Sequence, residues 1–192
     1  MKVWRLKVEF KSNKKQFEDF ELVVENKEEK DLFINDMYSG VHIKNKYKNL
    51  KLNKIGGDIK SDNPKFWTTS GILMFSKRAK DVLEEIIKDD VEFVEANYED
   101  EIYYLVNILS FLDIIDVERS KIRRLKTGLP VEVKEYEFRE GVLENQKMFK
   151  FYLNKRVKGS EILVTDEFKK AVEENNLSGF KFIEVWSNDL NS

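Results

Sequence analysis

Cysteine is absent from this chain of 192 residues, histidine occurs once and proline twice. Without cysteine there is no disulfide framework and no thiolate metal site. With His42 alone no two-histidine metal motif can be built, and a Ser-His-Asp triad would have to run through that one ring. His42 stands between Val41 and Ile43 in a basic, strand-like stretch with no activated-serine motif near it, so it reads as a surface residue. The eight glycines form neither GxxxxGK[ST] nor GxGxxG, which leaves nucleotide binding without support. No run nears the ~20 apolar residues that span a bilayer. The opening MKVWRLKVEF alternates instead of forming an apolar leader core. These absences point to a cytoplasmic protein without membrane contact, cofactor or metal.

What is present is charge and aromatic surface. Charged residues make up 36% of the chain and apolar ones 41%, with 14 Phe, 7 Tyr and 3 Trp, enough to bury a core and offset ordering entropy. Net charge is −2 but unevenly spread. Residues 1–65 hold 15 Lys/Arg against 11 Asp/Glu, and residues 66–150 hold 13 against 18. Within Asp81–Glu101 ten acids face only Lys88. Such a segment repels nucleic acid and attracts basic partners. Asp89, Asp90, Glu92, Glu95, Glu99, Asp100 and Glu101 are therefore the candidate partner-binding residues.

Periodicity places the elements. Val3–Phe10 and Phe20–Val24 read as strands around a polar turn at Lys11–Lys15, and Glu25–Tyr38 as a short helix. Val41–Leu52 alternates basic and apolar residues like an exposed hairpin or edge, and Gly56-Gly57-Asp58 is a turn. Ile72–Phe75 is a short strand. Ser76 then caps a helix whose Ala79, Val82, Leu83, Ile86 and Ile87 make one apolar face. Val91–Tyr98 alternates with Glu92 and other polar side chains outward. Tyr103–Ile115, apolar on both faces and interrupted by Asn107, Ser110 and Asp113, reads as a central strand with a bend near Ser110, since β-branched and aromatic residues favour strand over buried helix. Arg119–Lys126 is a basic connection. Val131–Phe138, Met148–Leu153, Glu161–Val164 and Phe180–Trp186 are further strands, with a Thr165-capped helix reaching Asn175.

A shift of 89 residues lays 75–97 on 164–186 without a gap, matching two strand-helix-strand units and the caps Ser76 and Thr165. Convergence of two amphipathic helices on Lys and Glu is the alternative. The fold expected is α+β: mixed, largely antiparallel sheets with a few helices. Residues 1–65 form a strand-rich part packed on a core of residues 66–192, together one compact domain.

With 36 acids, carboxylate pairs at glycosidase spacing are inevitable and carry little information. Asp113 and Asp116, at the end of the apolar run, are best explained as turn caps pairing with Arg119, Arg123 or Arg124. Basic residues interleaved with Tyr47 (Lys44, Lys46, Lys48, Lys51, Lys54) would suit a nucleic-acid surface, against the acidity of the whole.

Three segments carry a family resemblance: LMFSKRAKDVLEEI, YYLVNILSFLDIIDVERS and ILVTDEFKKAVEENNLSGFKFIEVW. The chain resembles the eleventh type of bacterial polymorphic-toxin immunity proteins, formerly a domain of unknown function, typified by a myxobacterial protein. The matching positions are Ser76, Tyr103, Tyr104, Asp113, Asp116, Ser120 and the Gly179–Val185 strand, with Trp67 at the start of the region. The resemblance covers residues 66–186 and implies structural roles for these residues, no catalytic one, and a cytoplasmic antidote that binds a cognate toxin. A basic toxin is inferred from the acidic segment, not from the resemblance. A carboxylate hydrolase and a nucleic-acid-binding accessory protein are the alternatives.

Overall fold

The computed structural model describes residues 1–10, 16–67, 71–139, 141–153 and 157–188, with 157 and 158 as backbone only. The turn expected at Lys11–Lys15 lies outside the described residues. The N-terminal elements are β1 (Lys2–Val8), β2 (Asp19–Leu22), α1 (Lys27–Met37), β3 (Leu50–Gly56) and β4 (Lys65–Phe66). The centre is β5 (Leu73–Ser76), α2 (Lys77–Ile87), β6 (Val91–Tyr98), β7 (Glu101–Ile108) and β8 (Phe111–Leu112). Then follow β9 (Lys121–Arg124), β10 (Pro130–Glu135), β11 (Met148–Leu153), β12 (Val157–Lys158), β13 (Ile162–Thr165), α3 (Asp166–Glu174) and β14 (Phe180–Ser187).

Two sheets organise the chain. One runs β12-β11-β13-β1-β14, with β8 beside β11; the other runs β4-β2-β3-β6-β7-β5. Strand neighbours are antiparallel except β2–β4, β3–β6 and β8–β11. The fold is α+β, as the alternating patterns imply.

The two strand-helix-strand units are alike in three dimensions. In β5–α2–β6 the two strands do not pair with each other; β7 lies between them, antiparallel to both. In β13–α3–β14 the strand between is β1, again antiparallel to both. The sequence repeat is thus a repeat of split β-α-β units, each completed by a strand from outside it. Helices α2 and α3 meet between the sheets. Ala79, Leu83, Ile87, Phe168 and Val172 pack there with Leu6, Phe75, Tyr104, Val106, Ile162 and Val164. Burying one large aliphatic or aromatic side chain contributes about 1.5–3 kcal/mol, so this layer is a main source of stability.

Each sheet buries its other face too. Helix α1 brings Phe33 and Met37 against Phe20, Leu52, Met74, Val94 and Leu105. The β9–β10 hairpin and its flanks cover Phe149, Phe151 and Leu163. This explains the unbroken apolar run. Tyr104, Val106 and Ile108 of β7 face the helices, while Tyr103 and Leu105 face α1. A strand buried on both faces shows no alternation.

Several expectations need correction. Tyr103–Ile115 is not one strand. β7 ends at Ile108, and β8 pairs in parallel with β11 of the first sheet, so the expected bend is a crossing between sheets. Residues 41–49 form turns, and β3 lies inside the sheet between β2 and β6, so Val41–Leu52 is not a hairpin or an edge. Arg119–Lys126 contains β9, whose cations pair across the hairpin: Lys121 with Glu135 at 2.7 Å and Arg123 with Glu132 at 2.9 Å. Lys134 and Arg123 together pull the Glu132 carboxyl down to about 2.

Candidate partner-binding site

The acidic segment divides by local geometry into three groups. The first is on α2, where Asp81, Glu84 and Glu85 are neutralised by Lys77 at 2.5 Å, Lys80 at 2.6 Å and Lys88 at 2.8 Å. Lys77 and Lys80 lie just before Asp81 in sequence, and one helical turn brings them alongside the acids. A charge count begun at Asp81 misses them.

The second group turns inward. Asp90 is 5% exposed. Its Oδ1 accepts from the Ser110 hydroxyl at 2.7 Å, and its Oδ2 accepts from the Lys147 and Met148 amides at 3.0 and 2.9 Å. It therefore ties the end of α2 to β11 of the other sheet. Glu92 does not face out as the strand alternation implies. Its Oε1 accepts from the Ile43 and Lys44 amides and from Asn107 Nδ2 at 2.8 Å, and His42 Nδ1 lies 3.1 Å from its Oε2. Burial alone would raise the Glu92 pKa, but these hydrogen bonds outweigh it and hold the carboxyl below its usual range. The ring of His42 is itself 80% exposed.

The third group reaches solvent. Asp89, Glu95, Glu99, Asp100 and Glu101 are exposed. Glu99 and Asp100 form the tight turn between β6 and β7, with Glu99 at φ +51°. Glu101 pairs with Lys60 and accepts from the Tyr103 hydroxyl at 3.2 Å. A groove of about 610 Å³ opens beside them, lined by Lys60, Lys77, Arg78, Asp100, Glu101 and Ile102 among others.

The family-motif residues serve as joints. Ser76 Oγ caps α2 by accepting from the Ala79 amide at 3.1 Å, and donates to Asp62 Oδ1 at 2.9 Å. Asp62 also receives Arg78 at 3.0 Å and the Ser178 amide at 2.9 Å, so one buried carboxylate links the two repeats. Thr165 holds the matching position but makes no side-chain cap bond, and its Oγ1 is buried without a hydrogen-bond partner. Asp166 instead accepts from the Lys2 amide at 2.7 Å and Trp4 Nε1 at 2.8 Å, fixing α3 to β1.

Tyr103 lies under α1, its hydroxyl 3.4 Å from the buried Glu18 carboxylate; burial foremost, then Glu18 and Glu101, pushes its pKa well above the usual tyrosine value. Tyr104 faces α2, with Lys80 Nζ 5.4 Å from its ring centre. Trp67 is buried, with Lys30 Nζ 4.4 Å from its ring centre. Asp116 caps its turn through the Glu118 and Arg119 amides, both at 3.1 Å. Asp113 pairs with Arg139 at 3.4 Å, not with the three arginines expected, because Arg119 is drawn to Glu137 and Arg123 to Glu132 across the hairpin. Ser120 Oγ accepts from the Glu137 amide at 2.9 Å and donates to its carbonyl.

Sequence reasoning missed one surface. Val23, just past β2, falls in one row with Lys51 of β3, Asn97 of β6 and Ile102 of β7, and all four are exposed. The signal was available in Val23 and Ile102, apolar residues at outward strand positions.

Among the described residues no group of three His, Asp or Glu side chains could hold a metal ion. Among the same residues no helix is long and apolar enough to cross a membrane. The molecule is thus an α+β protein built on two large sheets, with the buried carboxylates Asp62 and Asp90 engaged in joints between elements. Residues 8–187 match the Immunity protein family (Imm11), and the chain belongs to that family. The match begins far upstream of the motif resemblance at residue 66 and takes in β2 and β3, which lie within the second sheet. Comparison with curated proteins finds no match.

Proposed function

We propose that this protein is a cytoplasmic bacterial immunity protein that binds one cognate toxin of a polymorphic toxin system and blocks it by direct protein–protein contact. The family match over residues 8–187 carries this reading. The buried carboxylates support it: Asp62, Asp90 and Glu92 are occupied by hydrogen bonds that hold loops and helices. Blocking a toxin needs only a complementary surface and fast, tight association. The exposed acids Glu95, Glu99 and Asp100 favour a basic toxin, such as a nuclease.

The test is co-expression with the toxic domain encoded beside this chain. Survival of cells carrying both genes, with a complex that survives gel filtration, is the expected outcome. Cell death despite abundant folded protein, and no complex, would refute the reading.

A further inference from the structure

We infer that the open face of the second sheet, centred on the row Val23–Lys51–Asn97–Ile102, is the surface on which the toxin docks, and that it selects a basic partner; the inference rests on the immunity function proposed above. Three observations lead there.

First, the covering layer stops short. Helix α2 packs on β5 and β7, and α3 on β1 and β13. On the α1 side the sheet is closed by Leu22, Leu52, Ala96 and Tyr103. On the opposite side, toward β2 and β3, the outward residues meet solvent. Val23 is 57% and Ile102 42% exposed, at the two ends of one row. The register sets that row: the Val23 amide bonds the Lys51 carbonyl, Lys51 pairs with Asn97, and Asn97 with Ile102. Four adjacent strands at about 4.8 Å spacing carry the row.

Second, the face is acidic. Glu21 and Glu95 lie on it two residues from Val23 and Asn97, and Glu99 and Asp100 form its rim at the β6–β7 turn. Among the described residues none of these four carboxylates forms an ion pair; of the cations around them Lys60 is paired with Glu101, Lys80 with Glu84 and Lys88 with Glu85, which leaves Lys51 on the face and Lys44 at its margin. The pairing that neutralises α2 is missing here. A net negative platform with apolar ends speeds association with a basic protein and then excludes water at Val23 and Ile102.

Third, the platform has relief. The groove of about 610 Å³ at the start of α2 is lined by Ile102, Asp100 and Glu101, and by Lys60, Lys77 and Arg78, each of which is paired with an acid. It offers a recess for a partner side chain at one end of the row. Isolated exposed valines and isoleucines are common on strands; here both border an uncovered platform on which acids outnumber cations.

The experiment measures binding of the purified toxic domain encoded beside this chain by surface plasmon resonance, over a range of salt. Glu95→Arg with Glu99→Arg should slow association about tenfold at low salt, with the difference shrinking as ionic strength rises. Lys51→Glu should speed association, an effect no folding defect can mimic. Ile102→Asp should weaken affinity about tenfold or more, mainly through faster dissociation. Glu173→Lys with Glu174→Lys, the same kind of charge change on α3, should leave binding as in the wild type. If the wild-type protein binds and the Glu95/Glu99 and Lys51 variants, folded by thermal melting, bind equally well, the face is not the docking site while the immunity function stands. If the wild-type protein does not bind the toxic domain, the function fails and the inference falls with it.

Discussion

Replacing Asp90 with alanine removes one carboxylate and three hydrogen bonds, two of which reach the start of β11 in the other sheet. The loss falls on the donors left behind. The Met148 amide belongs to a fully buried residue, and the Lys147 amide is beside it. Leaving a buried donor without an acceptor costs about 1–3 kcal/mol. Ser110 can rotate its hydroxyl toward solvent, so its share is small. Two orphaned amides then give about 2–6 kcal/mol, a large part of the ~5–15 kcal/mol that stabilises a typical domain. At this chain length each kcal/mol shifts the midpoint by about 2–4 °C, so the Asp90→Ala melt should fall by about 10 °C.

Asp90→Asn is the discriminating partner. The amide keeps one oxygen for the two backbone N–H groups and can offer its NH₂ to Ser110, so it should cost about half as much or less. Asp89→Ala, one residue away and exposed, should stay within about 0.5 kcal/mol of wild type. Circular dichroism melts give the midpoints, and hydrogen exchange at Lys147 and Met148 reports the joint directly. If Asp90→Ala melts with the wild type, or if Ala and Asn cost the same, the argument from orphaned amides is wrong.

The two helix starts should answer differently to the same change: Ser76→Ala should cost about 1–2 kcal/mol through the lost cap and Asp62 contact, whereas Thr165→Val should be neutral or stabilising because that hydroxyl has no partner, and chemical denaturation compares the two. Glu92 has its pKa lowered on folding, so its contribution is present above the unfolded value of 4.5 and is lost as pH falls through the lower folded value. Glu92→Gln should therefore flatten the loss of stability below about pH 4.5, and an unchanged acid limb in urea titrations would contradict this. We also propose that the whole chain is one folding unit: deletion of residues 1–8 removes β1, the strand that pairs with both β13 and β14, and should abolish the cooperative melt, an outcome a sigmoidal transition of the truncated protein would disprove.

Much of the fold was legible because local pattern and final burial agree in the paired units. The alternation of Val91–Tyr98 is β6, and the spacing of Ala79, Leu83 and Ile87 is the buried face of α2. The shift of 89 residues found both split units, although it could not show that each borrows its middle strand from elsewhere. Reading failed where one run crosses between sheets. Nothing local marks Leu109–Ser110 as the exit from one sheet, since apolar residues continue on both sides and are buried on both. It failed again at residues 41–49, where alternation of Lys with apolar residues meets a loop held from outside by Glu92 and Asp36.

The sequence by itself determined the composition of the core, the helices, most strands, the family and the lack of motifs for known chemistry. Those depend on residue type and short-range period, which a chain carries in its order. Tertiary structure decided the fate of the charges beyond α2. Asp90 and Glu92 became joints, and Glu95 and its neighbours were left beside an uncovered sheet face, whereas the pairs on α2 follow from helical spacing alone. A carboxylate is cheap in water and costly when buried unless its donors surround it. Which of these holds depends on where the other elements lie, and no count along the chain contains that.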